Sequence, residues 1–171
     1  MSKRDLKKFL LELDKAQLEE QILELYEKFA NVKTYYNFVF NPNEDKLLQE
    51  AKLKISNEYF PIRSKKAKLR RSTAQNYIKH FISLGVDPYI VADVMLYAIE
   101  IAQTYTQEKP IKQELFYKSM LNSFESAISY MIENGILNDF KSRVEGIKDQ
   151  TIYLKWSNNY EFNAIVERFD Y

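Results

Sequence analysis

Glycine and proline together make up seven of the 171 residues, where an average chain uses about 12 %. Tight hairpins and phosphate-cradling loops are built largely on glycine, so an all-β fold and a dinucleotide-binding α/β fold both lack their turn chemistry here. Apolar residues recur instead at three- and four-residue spacing, the pattern of amphipathic helices. Charge interrupts every apolar stretch well before the roughly 18 residues of a membrane span.

The chain has no cysteine and one histidine, His80. That excludes disulfides, thiolate catalysis, Cys zinc sites and Cys-ligated iron–sulfur clusters, and it leaves no HExxH motif or His-rich metal site. No metal or cofactor is expected. Met1-Ser2-Lys3-Arg4-Asp5 leads into an amphipathic segment rather than an uninterrupted apolar one, so no signal peptide is expected and the predicted location is the cytoplasm.

Helix starts and stops punctuate the chain. Ser2 can cap a short helix with Leu6, Phe9, Leu10 and Leu13 on one face, and Asp14 with Gln17 forms a capping box for a second. Residues 31–40 carry Val32, Tyr35, Tyr36 and Val39 at helical spacing. Asn41-Pro42-Asn43-Glu44 predicts a helix from Pro42 to Glu58, stopped by Pro61. Residues 61–71 form a basic connector, and Ser72-Thr73-Ala74-Gln75 is a further capping box. Gly85-Val86-Asp87-Pro88 closes one helix and opens the next, which runs to about Thr106 and is apolar on nearly every side. A long helix closes at Asn134-Gly135, and shorter ones over about 139–148 and 159–169 flank Trp156. The expected fold is all-α, with eight or nine helices in an orthogonal bundle or stacked helical hairpins, as a single domain over 1–171.

The segments Met1–Lys8, Phe38–Leu47, Ile78–Tyr89 and Gln113–Met120 resemble a family of uncharacterised bacterial all-helical proteins, a domain of unknown function, over nearly the whole chain. The resemblance implies no activity, and no catalytic residue carries over from it.

Charge is unevenly placed. Residues 1–58 hold 10 cations and 11 carboxylates, residues 59–86 seven cations and no carboxylate, and residues 87–171 eight and 13. Six of the seven are Arg63, Lys65, Lys66, Lys68, Arg70 and Arg71, just before the helix start at Ser72; the seventh is Lys79. A helix N-terminus already favours anions, so cations crowded there repel unless something negative neutralises them. One reading is a nucleic-acid or phosphate-ligand site, with Tyr59, Phe60 and Tyr77 for stacking. The blander and preferred reading is a solvated loop answering the acidic C-terminal half, Asp93 and Glu100 included. A second polar group, His80, Asp93, Tyr97 and Glu100, has the residue types for acid–base work. No nucleophile or metal spacing accompanies it, so His80 reads as structural and the carboxylates as salt-bridged or solvent-facing.

No enzyme signature emerges. The expected function is that of a non-catalytic cytoplasmic interaction or adaptor protein, with a protein partner or homodimer favoured by the many tyrosines, nucleic acid as the alternative, and no membrane association.

Overall fold

The computed structural model describes residues 2–63 and 66–169. Among them are nine helices, α1 (Lys3–Leu11), α2 (Lys15–Lys28), α3 (Ala30–Phe40), α4 (Glu44–Tyr59), α5 (Arg71–Leu84), α6 (Pro88–Glu108), α7 (Glu114–Glu133), α8 (Leu137–Tyr153) and α9 (Asn159–Phe169), and no strand. The fold is all-α. It falls into two compact units, residues 1–43 and 44–171.

In the first unit local chemistry sets each helix start. The Ser2 hydroxyl accepts from Asp5 N–H at 3.3 Å while the Asp5 carboxylate accepts from Ser2 N–H at 3.0 Å, and Asp14 and Gln17 repeat the exchange at 2.8 and 3.0 Å. Each box satisfies backbone donors that a helix end otherwise leaves open. Phe29 ends α2 and begins α3 in extended conformation. No described residue of α1, α2 or α3 is buried.

The second unit is organised around α6, which packs against α4, α5, α7 and α8. Nine of its 21 residues are buried. This is why its sequence is apolar all round: a helix with neighbours on most sides has only a narrow stripe to offer solvent. The Asp87 carboxylate caps α6 by accepting from Tyr89 N–H at 2.7 Å. Trp156, 1 % exposed, lies in the core, its ring 5.8 Å from Phe162 and 6.1 Å from Phe116. A buried polar thread runs beneath it. Trp156 Nε1 donates to Thr106 Oγ1 at 3.0 Å, Thr106 Oγ1 donates to the Gln103 carbonyl at 3.0 Å, and Gln103 Nε2 donates to the Ile147 carbonyl at 2.7 Å. Buried polar groups are tolerable only when matched in this way.

Several boundaries differ from the sequence expectation. Helix α4 begins at Glu44, two residues after Pro42, because Asn41 still closes α3. Helix α5 begins at Arg71, so Ser72 lies inside the helix and forms no cap. Helix α8 runs past Lys148 to Tyr153, since no glycine or proline marks its end.

Candidate functional site

The basic connector folds around one acid. Glu58, at the end of α4, is 7 % exposed. Its carboxylate accepts from Arg70 Nε at 3.0 Å, Arg70 Nη2 at 2.8 Å and Thr73 Oγ1 at 3.0 Å. Its carbonyl accepts from Lys68 N–H at 2.9 Å and Leu69 N–H at 3.0 Å. Leu69 adopts φ 54°, a left-handed conformation this double anchor holds in place. The two-pronged hydrogen bond from Arg70 keeps the Glu58 carboxyl below the usual glutamate range, even though burial pushes the other way. Glu58 is thus a negative group that answers the crowded start of α5.

The described arginines of the connector, Arg70 and Arg71, bond to Glu58 and Ser123 rather than to Asp93 and Glu100. Those carboxylates share the guanidinium of Arg143, which rises from α8: Nη1 donates to Asp93 at 2.6 Å, and Nε and Nη2 donate to Glu100 at 2.6 and 2.7 Å. Lys52 on α4 completes the group, 2.6 Å from Asp93 and 5.2 Å from the centre of the Tyr97 ring. Burial lowers the affinity of Arg143 for its proton, but the hydrogen bonds to Glu100 and Asp93 outweigh it and hold the proton more tightly than usual. Two cations on two carboxylates leave the cluster neutral, and it ties α4 and α8 to α6. His80 is not among its partners. It sits exposed on α5 with its ring 6.4 Å from that of Phe81. Among the described residues no three His, Asp or Glu side chains converge as metal ligands would.

The remaining members of the basic run divide. Arg63, Lys66 and Lys68 are exposed around an open depression that Lys54 and Tyr77 also border. Lys65 lies outside the described residues. Ser72 and Lys79 are exposed on α5, and Arg71 turns inward to donate from Nε to Ser123 Oγ on α7 at 2.8 Å. The aromatic residues beside the run are engaged to different degrees, and Tyr77 keeps an edge on the depression. Tyr59 is 4 % exposed, Phe60 packs at 5.7 Å on Tyr105, and the Tyr77 hydroxyl donates to Glu50 at 3.4 Å.

Sequence reasoning passed over Glu58, Lys52 and Arg143. Glu58 carried a readable signal, as the last carboxylate before a stretch with seven cations and none of its kind. Arg143 carried none, because its partners lie 43 and 50 residues away.

A family model matches residues 1–170, nearly the whole chain. The chain belongs to that family, DUF6155, a family of unknown function. No curated protein and no solved structure matches it. DUF6155 membership therefore agrees with the resemblance read from the sequence and adds no activity to the Glu58 and Arg143 clusters. Among the described residues no helix is long and apolar enough to cross a membrane.

Proposed function

We propose that this DUF6155 protein is a non-catalytic helical interaction module whose first 43 residues are its docking element. The observation that carries the reading is the absence of buried residues from α1–α3 while Leu6, Phe9, Leu10, Ile22, Leu25 and Phe29 are each more than a third exposed. A unit of about 40 residues with no disulfide needs association to offset the conformational entropy of ordering it. Exposed apolar side chains gathered on short amphipathic helices provide the surface for that.

The partner of best fit is a second copy of the chain. Helix α1 carries four cations to one carboxylate, Lys3, Arg4, Lys7 and Lys8 against Asp5. Helix α2 carries Glu19, Glu20, Glu24 and Glu27 against Lys15 and Lys28. A two-fold axis that lays α1 of one copy beside α2 of the other joins opposite charges along an apolar seam. The Cys-free composition suits a reducing compartment, and the proposal places the protein in the cytoplasm. Against the nucleic-acid alternative stand the engagement of Arg70 by Glu58 and the burial of Tyr59.

Light scattering on the eluted full-length protein tests this. The expected result is a dimer that weakens as salt is raised and that Leu6→Asp with Phe9→Asp converts to monomer while helicity of the second unit is retained. A wild-type chain that stays monomeric at every accessible concentration, or a dimer indifferent to the double substitution, overturns it.

A further inference from the structure

Between α4, α5, α6 and α7 lies a partly open pocket of about 160 Å³ whose apolar wall is formed by Ile55, Ile78, Met95, Ala98 and Met120, with neutral polar groups such as Gln75 and Ser126 at its edge. Space of that size takes one benzene-sized body. The charged side chains that reach it are of one sign, Arg70, Arg71 and Lys79, and no carboxylate is among its described lining residues. The three cations are not equivalent. Arg70 is held by Glu58, and Lys79 is exposed. Arg71 is half-buried, bonds to the neutral hydroxyl of Ser123, and has no carboxylate partner among the described residues. Burial makes its guanidinium hold its proton less tightly than usual. A guanidinium offers five N–H donors, of which Ser123 engages the one on Nε.

An apolar chamber with one poorly compensated guanidinium at its wall selects for a ligand of matching asymmetry. A neutral apolar molecule would fill the space and leave the cation unanswered, while a bare anion would answer the cation and leave the chamber empty. A carboxylate fits the planar fork of arginine through two parallel hydrogen bonds. We propose that this cavity binds a small monocarboxylate with a compact apolar body, the size of benzoate or hexanoate, its body between Ile55, Met95 and Met120 and its carboxylate on Arg71. The site is independent of α1–α3 and stands whether or not the chain dimerises.

The test uses the full-length protein, calorimetry and amide chemical shifts, with benzoate and hexanoate as probes, benzyl alcohol as the neutral match and acetate as the bare anion, all at fixed ionic strength. The expected result is saturable one-to-one binding of benzoate or hexanoate, with shifts confined to α4–α7 and at least tenfold weaker binding of benzyl alcohol and acetate. Arg71→Gln should weaken benzoate by about ten- to a hundredfold, the range of a charge-assisted hydrogen bond, and leave benzyl alcohol unchanged. Ala98→Leu, which fills the chamber, should abolish both; should it fail to fold, the probe comparison and Arg71→Gln still decide. Absence of saturable binding by either acid overturns the proposal. So does equal affinity for benzoate and either control, or an Arg71→Gln protein that binds benzoate as the wild type does.

Discussion

At Glu58 one buried carboxylate holds a turn together, and its protonation should be felt by the whole second unit. Its folded-state pKa lies below the ordinary glutamate value of about 4.3 because Arg70 donates to it twice. The sign follows from linkage. The contribution is fully present above the ordinary value and is lost as pH falls through the lower folded-state value. Thermal melts from pH 7 down to pH 2 should therefore show an acid limb that is shallower in Glu58→Gln, which should also melt lower at pH 7. Identical acid limbs would mean that Glu58 is not the group responsible. Trp156 is the other residue on which much depends, since truncation removes a fully buried ring and orphans the Thr106 hydroxyl as an acceptor. Trp156→Ala should cost about 3–5 kcal/mol in denaturant unfolding. A loss under 1 kcal/mol would show that the ring's packing contributes little.

Three helices of the second unit end in the same way, and only two of them with the residue that end prefers. Gly85 and Gly135 adopt φ 75° and 71°, with Val86 N–H donating to the Phe81 carbonyl and Ile136 N–H to that of Met131. After α8 the same bond runs from Trp156 N–H to the Thr151 carbonyl at 3.0 Å, but the left-handed residue is Lys155 at φ 53°. A side chain with a Cβ is strained there by roughly 1 kcal/mol. Lys155→Gly should raise stability by about 0.5–1 kcal/mol with no loss of contact, since Lys155 is exposed. A neutral or destabilising outcome in urea unfolding would count against the strain. Between elements, Arg143 ties α8 to two carboxylates of α6. Arg143→Met should cost about 1–2 kcal/mol, less than a fully buried pair would, because all three side chains keep partial solvent contact and Lys52 still answers Asp93.

For the molecule as a whole, burial differs sharply between the units. Local opening is cheap where few apolar groups are covered, so amides of α1–α3 in a dilute sample should exchange with solvent by local fluctuation while those of α6 and α7 exchange only with global unfolding. Hydrogen exchange read by mass spectrometry checks this directly. Under conditions of dimerisation the first unit should gain protection, and protection unchanged with concentration would argue against the proposed self-association.

The amino-acid order determined by itself what is local. The caps at Ser2, Asp14 and Asp87 and the glycine stops at Gly85 and Gly135 lie within a few residues of the groups they satisfy, so each could be read without knowing the fold. The apolar surround of α6 likewise announced a central helix. The end of α8 was hidden because Lys155 took a position where glycine would have signalled it. Tertiary structure decided which of the distant charges meet. Asp93 and Glu100 went to Arg143 and Arg70 to Glu58, because ion pairing acts through space, while Arg71 found only the neutral hydroxyl of Ser123. Tertiary structure also formed the pocket beside Arg71, which exists only once four helices that the chain visits in turn have come together along its walls.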